Sequence, residues 1–188
     1  MTGIRPLDER NAPAAAREVL SQTKKTYGFI PNLLSTMANA PSLLKAYLSV
    51  SALFEQTSLS PTERQVVLLA VSAQNGCAYC VASHTAGAAM QNTPRDVVDA
   101  IRNGRPVADP KLEALRAHTN DVVETRGWPS AEATARFESA GYSNQHVLEV
   151  VLGVGMKTLS NYTNHIAGTS LDAQFAQAAW ELGGAVKG

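Results

Sequence analysis

The sequence of 188 residues has no excess of either charge, since sixteen Lys and Arg residues balance sixteen Asp and Glu residues. Proteins that bind nucleic acids or anionic membranes usually carry a basic surface, so neither partner is expected. The chain also lacks an apolar run long enough to cross a bilayer. Its first ten residues have no apolar centre of the signal-peptide type. We therefore expect a cytoplasmic protein with no nucleic-acid partner and no membrane partner.

Cysteine is scarce as well, because the chain contains only Cys77 and Cys80. A disulfide is not expected to serve as a structural bridge in a reducing compartment. At this spacing it would also close a very small loop and add little stability. The pair is therefore predicted to be reactive or metal-binding.

What the sequence does contain is typical of one folded domain spanning residues 1–188, with 45% hydrophobic and 17% charged residues. Proline, glycine and capping residues divide the chain into segments with helical periodicity, which predicts an all-α fold. Helices are expected over residues 13–27, 33–38, 41–56, 65–73, 93–104, 109–127, 130–141 and 143–166. Leu171, Phe175, Ala179 and Leu182 indicate a last amphipathic helix.

The run from Val66 to Val71 could also be read as a buried strand, because valine favours sheets. A strand followed by Cys-x-x-Cys and a helix would be the thioredoxin arrangement. However, Ser60, Pro61 and Glu63 form a capping box directly before this run. No other strand is predicted to pair with it, so we interpret the run as a helix.

The most informative stretch is NGCAYCVASH, residues 75–84. Asn75 and Gly76 predict a break between helices, which places both cysteines in the first turn of a new helix. There the free backbone N–H groups and the helix dipole stabilise a thiolate. Cys77, Cys80 and His84 are spaced by three and four residues and would share one helix face. Two thiols beside a base suit redox chemistry, in which one thiolate attacks, the other resolves and the imidazole moves a proton.

Two other interpretations of these residues are open. The thiols could be buried structural groups, since free cysteine packs like a small apolar residue. Cys77, Cys80 and His84 could also bind zinc, with His118, His146 or His165 as the fourth ligand. Structural zinc sites usually have longer spacings between ligand pairs, so we favour reactive thiols with no metal and no cofactor. His118 and His146 otherwise look like surface or capping residues.

These residues resemble the alkylhydroperoxidase D (AhpD)-like proteins of the carboxymuconolactone decarboxylase superfamily. The similarity includes Glu63-Arg64-Gln65 and AVSAQNGCAYCVASH at residues 70–84. YGFIPN at 27–32 and NYTNHIA at 161–167 resemble the longer, peroxidase-related branch. The resemblance implies a single-domain AhpD-like helical bundle with its redox core at about residues 60–104. It also implies homo-oligomers and thiol-dependent reduction of hydroperoxides without metal or haem.

The resemblance also implies roles for single residues. Cys80 corresponds to the peroxide-attacking cysteine, Cys77 to the resolving cysteine and His84 to the relay histidine. The relay glutamate of the family lies twelve positions before the first cysteine, where this chain has Gln65. Glu63 could replace it, although Glu63 is equally expected to serve the capping box.

Tyr79 and His165 also lie in the segments that carry the resemblance. Tyr79 stands where some family members have a histidine between the cysteines, which removes another possible base. His165, in a polar cluster near the end of a long apolar helix, could line the cleft, meet another subunit or bond helix-end carbonyls.

The function predicted from sequence is therefore that of a thiol-dependent alkylhydroperoxidase. Its partners would be a hydroperoxide substrate and a dithiol reductant of thioredoxin or lipoyl type. A protein disulfide oxidoreductase is one alternative. A decarboxylase-like or non-catalytic member of the same superfamily is another.

Overall fold

A computed structural model of the chain describes residues 3–181, and this part contains nine α-helices, one short 3₁₀ helix and no strand. The α-helices are α1 (Ala14–Tyr27), α2 (Asn32–Met37), α3 (Pro41–Phe54), α4 (Pro61–Gln74), α5 (Ala78–Met90), α6 (Arg95–Arg102), α7 (Pro110–Glu124), α8 (Ala131–Ser139) and α9 (Asn144–Ala167). The prediction of an all-α, single-domain fold is confirmed. The valine run of residues 66–71 lies inside α4 and is helical.

Local capping explains where the central helix begins. The Ser60 hydroxyl accepts a hydrogen bond from the Glu63 backbone N–H at 3.2 Å, and the Glu63 carboxylate accepts one from the Ser60 N–H at 2.8 Å. Pro61 occupies the first helical position, where its missing N–H leaves no bond unmade. These groups fix the start of α4, as the capping box predicts.

Helix α4 is the centre of the core. Its residues 66–71 are all buried, and α4 packs against α5, α6, α7 and α9. A helix surrounded on every side must be apolar on every side, which explains the continuous hydrophobic run.

Helix α9 approaches this core closely because of Gly153. A Cβ atom at position 153 would lie 2.7 Å from Cγ1 of Val67 and 2.9 Å from Cε2 of Phe54. Only glycine therefore lets α9 pack this tightly against α3 and α4. None of the helices within residues 3–181 is long and apolar enough to span a bilayer.

The predicted terminal α-helix is wrong for the segment that the structure describes. Ala173–Ala178 form a 3₁₀ helix, and Leu182 lies outside the described residues. The Arg102 guanidinium donates hydrogen bonds to the carbonyls of Ala178 and Ala179, which binds this end of the segment to α6. Phe175 packs edge-on against the rings of Phe29 and Tyr79. These contacts hold the segment against its neighbours without a regular α-helix.

Candidate active site

The site is built at the turn between α4 and α5. Gly76 has a φ of 65°, in the left-handed region that favours glycine, and this reverses the chain after α4. Cys77 is the N-cap of α5 and its backbone N–H donates to the Ser72 carbonyl at 2.9 Å. Cys80 is the third residue of α5. Both sulfurs therefore lie at the positive end of the helix, as the sequence pattern predicts.

The two thiols are free and buried, each with 1% of the residue surface exposed. One side chain of α9 contacts both of them. Nδ2 of Asn164 lies 3.3 Å from Sγ of Cys80 and 3.7 Å from Sγ of Cys77. Asn164 is itself buried, so this amide donor is directed at the sulfur pair inside the protein.

The pKa values of the two thiols are shifted in opposite directions. The pKa of Cys80 lies well below its ordinary value because the Cys77 thiol donates a hydrogen bond to its sulfur. The charge of Lys157 and hydrogen bonds from Ser160 and Lys157 act in the same direction, against burial. The pKa of Cys77 is raised by the shared proton and by burial. The arrangement therefore favours negative charge on Cys80 and the proton on Cys77.

His84 lies one helical turn beyond Cys80 and contacts a lysine of α9. Nζ of Lys157 is 2.8 Å from Nε2 of His84. Burial, followed by the positive charge of Lys157, holds the pKa of His84 well below its ordinary value. The imidazole is therefore neutral, and its Nε2 accepts a hydrogen bond from the ammonium group. This places the remaining ring proton on Nδ1.

The α9 side of the site is a stripe of buried polar residues: Lys157, Ser160, Asn161 and Asn164. Their spacing of three, four and seven residues from Lys157 puts them on one helix face. The stripe runs antiparallel to α5, because Asn164 meets the cysteines and Lys157 meets His84. Asn161 accepts a hydrogen bond from Nδ2 of Asn75 at 2.9 Å, which joins α9 to the turn before α5.

This stripe is not among the features predicted from the sequence, although the spacing of its residues is visible there. Four polar side chains at one-face spacing inside an otherwise apolar helix indicate a buried polar surface. Tyr47 of α3 contacts the same stripe through Ser160. Its pKa is raised by burial and then by the negative charge of Cys80, and Ser160 hydrogen-bonds its hydroxyl.

The structure does not bring Glu63 to the thiols. Glu63 lies in the first turn of α4, whereas the cysteines follow the other end of that helix. Its carboxylate accepts a hydrogen bond from the Tyr142 hydroxyl at 2.9 Å and forms an ion pair with Lys111 at 3.0 Å. Burial acts to raise its pKa, but the bonds from Ser60, Lys111 and Tyr142 outweigh this and lower the pKa to about 2.

Gln65 and His165 take different positions relative to the site. Gln65 is buried beside Gly87, one turn beyond His84, and its Nε2 donates to Oε1 of Gln91 at 3.2 Å. Its own Oε1 is buried without a hydrogen-bond partner. His165 is exposed on the outer face of α9 and stacks with Tyr162. The structure thus places Gln65 against α5, one turn beyond His84, and leaves His165 exposed on the other side of α9.

Tyr79, between the two cysteines, has a supporting role. Its hydroxyl donates a hydrogen bond to the buried Asp172 carboxylate and accepts one from the Leu33 N–H at 3.2 Å. Asp172 also accepts from the Asn32 N–H at 3.0 Å. These bonds tie α2 and the segment before the 3₁₀ helix to the first turn of α5.

The residues proposed for a zinc site are not assembled as a ligand set. Within residues 3–181, no cluster of three or more His, Cys, Asp and Glu side chains could hold a metal ion. His146 caps α9 through a hydrogen bond from the Ser143 N–H. His118 is buried and stacks on Phe137 with ring centroids 4.3 Å apart, so its interpretation as a surface or capping residue is wrong.

The comparison with known proteins gives one family match. Residues 41–121 match the carboxymuconolactone decarboxylase family. This segment includes α4, α5 and both cysteines. No curated protein matches the chain.

Several solved structures share the fold. One is an alkylhydroperoxidase AhpD core, a peroxidase-related protein from Ralstonia eutropha JMP134, with a TM-score of 0.80 and 20% identity over 93% of this chain and 96% of that one. A cysteine-to-alanine variant of the debrominase Bmp8, in complex with 2,3,4-tribromopyrrole, has a TM-score of 0.78 and 18% identity over 95% and 96%. A peroxidase-related protein from Silicibacter sp. TM1040 has a TM-score of 0.77 and 16% identity over 93% and 95%. At these identities the similarity establishes the shared fold.

Proposed function

Because residues 41–121 match the carboxymuconolactone decarboxylase family and the fold is shared with an AhpD core, we propose that this chain is an AhpD-like member of that superfamily. We propose further that it reduces organic hydroperoxides with the Cys77–Cys80 dithiol. The observation that carries the proposal is the polarised thiol pair. A peroxidatic cysteine must be a thiolate, and its resolving partner can remain a thiol until the sulfenic acid forms. The pKa of Cys80 is lowered and that of Cys77 is raised, and both thiols lie at the start of α5, where Nδ2 of Asn164 is 3.3 Å from the Cys80 sulfur.

The proposed reaction begins with attack by the Cys80 thiolate on the terminal oxygen of the hydroperoxide. A sulfur–oxygen bond forms, the oxygen–oxygen bond breaks, and the electron pair leaves with the organic oxygen, which takes up a proton to become an alcohol. Cys80 is oxidised to a sulfenic acid. The sulfur of Cys77 then bonds to the sulfur of Cys80, and the hydroxyl leaves with the Cys77 proton as water.

A dithiol donor of thioredoxin or lipoyl type would then return two electrons and two protons to the disulfide. The burial of both thiols supports a small oxidant over a folded protein as the partner that oxidises them. The amide of Asn164, 3.3 Å from the Cys80 sulfur, would stabilise the thiolate before attack. The homo-oligomer and the cytoplasmic location expected from sequence stay predictions.

The debrominase among the structural neighbours supports a wider test of substrates. A buried thiolate with a resolving thiol could reduce a halogenated ring as well as a peroxide, since both reactions consume a dithiol. We therefore propose peroxide reduction as the main activity and include 2,3,4-tribromopyrrole as a comparison substrate.

The experiment starts from reduced, metal-free protein mixed with one equivalent of cumene hydroperoxide. Thiol titration and intact mass would follow the loss of Cys77 and Cys80, with Cys80→Ser and Cys77→Ser as matched variants. We expect rapid loss of both thiols in the natural protein and no loss in Cys80→Ser. In Cys77→Ser, oxidation should stop at a sulfenic acid that dimedone traps.

Other outcomes would favour the alternatives. Thiols that survive peroxide but exchange readily with a small disulfide would identify a disulfide oxidoreductase. An activity that persists after both cysteines are replaced would favour decarboxylase-like chemistry. Thiol loss with tribromopyrrole but not with peroxide would favour dehalogenation.

A further inference from the structure

Lys157 is a buried amine with no part in the steps proposed for the two thiols. It lies in the middle of α9 with 1% of its surface exposed, and no carboxylate within residues 3–181 forms an ion pair with it. A buried ammonium group without a counter-charge is costly, and lysine is almost never fully buried unless it is paired.

The groups that face Lys157 explain how it is held. His84 of α5 accepts one of its hydrogen bonds through Nε2 at 2.8 Å. Cys80, also on α5, accepts a hydrogen bond from Lys157. The positive charge of Lys157 also lowers the pKa of Cys80. The Cys80 thiolate is thus the counter-charge that the carboxylate residues do not supply. An ammonium group has three N–H donors, so one still remains for a bound molecule.

The position of this amine suits a proton donor. Lys157 is on the same face of α9 as Ser160 and Asn164, and Asn164 touches the attacking sulfur. In a peroxide attacked by Cys80, the leaving oxygen is bonded directly to the oxygen that meets the sulfur. It therefore stays close to the groups around Cys80, and Lys157 is one of them. His84, by contrast, is neutral and already uses Nε2 as an acceptor, so Nε2 carries no proton to give.

We propose that Lys157 is the general acid of the reaction and that its ammonium group protonates the organic oxygen as the peroxide bond breaks. This role rests on the proposed peroxidase function. The proton passes from Nζ to the leaving oxygen, which becomes the alcohol, and Lys157 is left as a neutral amine. Reduction by the dithiol donor returns the proton and restores the ion pair. In this account His84 is a positioning residue that orients the ammonium group.

The test separates the charge of Lys157 from its ability to give a proton. Lys157→Met removes both properties, whereas Lys157→Arg keeps a charge that does not deprotonate in proteins. Single-turnover oxidation of the thiols would be measured with tert-butyl hydroperoxide, whose alkoxide needs a proton, and with peracetic acid, whose acetate leaves without one. Lys45→Met, on the exposed surface of α3, is the matched control.

The rates should be compared at a pH where Cys80 is a thiolate in every variant, established by the pH dependence of iodoacetamide alkylation. With tert-butyl hydroperoxide we expect a loss of about 10²–10⁴-fold in both Lys157 variants, the usual contribution of a general acid. With peracetic acid both variants should remain close to the natural protein. Lys45→Met should match the natural protein with both oxidants.

Equal losses with the two oxidants in a folded variant would overturn the role of general acid. If Lys157→Met does not fold, as judged by circular dichroism, Lys157→Arg decides alone, because a rate with tert-butyl hydroperoxide equal to that of the natural protein would refute proton donation. If the natural protein reduces neither oxidant, the proposed peroxidase function fails, and this role fails with it. Oxidation of the natural protein without the selective loss in the variants leaves the peroxidase intact and removes only Lys157 as its acid.

Discussion

Nδ2 of Asn164 lies 3.3 Å from the sulfur of Cys80, and the same amide nitrogen reaches the sulfur of Cys77 at 3.7 Å. A single side chain from α9 therefore spans a thiol pair that belongs to α5. Because Asn164 is buried, its N–H groups are not satisfied by bulk water, and they favour negative charge on the nearer sulfur. This contact makes the acidity of Cys80 depend on how α9 is packed.

Replacing Asn164 should raise the pKa of Cys80. A hydrogen bond to a charged group contributes about 1.5–3 kcal/mol, so Asn164→Leu should raise that pKa by about one to two units. The pH dependence of iodoacetamide alkylation measures the shift. Thr163→Ala, one residue away, is the control, and its pKa for Cys80 should equal that of the natural protein. An unchanged pKa in Asn164→Leu would show that the amide does not stabilise the thiolate.

A carboxylate at position 65 should not accelerate peroxide reduction if Lys157 supplies the proton. Gln65→Glu would bury a carboxyl group beside Gly87 and remove the donor to Gln91. We expect a loss of roughly 1–3 kcal/mol in the free energy of unfolding, measured by urea denaturation, and a peroxide rate within about fivefold of the natural one. Gln65→Leu provides an uncharged comparison of similar size. A large acceleration in Gln65→Glu would instead show that the missing relay carboxylate limits the reaction.

Glu63 should affect stability rather than chemistry. Glu63→Gln weakens the cap of α4 and the contacts with Lys111 and Tyr142, so we expect a loss of about 1–2 kcal/mol at neutral pH. The native pKa of Glu63 is about 2, below its ordinary value of 4.5, so its contribution is present above pH 4.5 and is lost as the pH falls towards 2. The difference between the natural protein and Glu63→Gln in urea unfolding should shrink over this range. A peroxide rate that drops strongly in Glu63→Gln would revive its role as a relay.

His118 should make the protein less stable in mild acid. Burial holds its pKa below the ordinary value of 6.5, so the native state binds fewer protons than the unfolded state. The free energy of unfolding should therefore fall as the pH drops below about 6.5, with His118 contributing at most about 1.4 kcal/mol per pH unit. His84 acts in the same direction, since its pKa is also lowered. His118→Leu, which keeps an apolar group against Phe137, should flatten the profile measured by urea unfolding between pH 7.5 and pH 5.5. A profile identical to that of the natural protein would exclude His118 as a source of acid sensitivity.

The features that the sequence predicts well are local ones. The capping box at Ser60, the prolines at helix starts and the left-handed turn at Gly76 each depend on neighbours within a few residues. Cys77, Cys80 and His84 also belong to one continuous stretch, so their shared helix face follows from spacing alone. The terminal segment shows the limit of this reasoning. Its apolar spacing suggests an α-helix, whereas contacts with Arg102, Tyr79 and Phe29 accompany a 3₁₀ helix.

The other half of the site depends on distant packing. Lys157 and Asn164 are more than seventy residues away from the groups that they contact, and they arrive there because Gly153 lets α9 pack closely on Val67 and Phe54. The spacing of the polar stripe is visible in the sequence. The sequence alone does not show that the stripe faces α5. His165, which the sequence offers as a residue that could line the cleft, has an exposed side chain, whereas its neighbour Asn164 is buried against the thiols.

The most direct test of the account is the stoichiometry of thiol loss in reduced protein treated with one equivalent of an organic hydroperoxide. We predict that two thiols disappear for each alcohol formed, that intact mass shows a disulfide between Cys77 and Cys80, and that Cys80→Ser abolishes both changes. Thiols that remain reduced while the hydroperoxide persists would contradict a dithiol peroxidase.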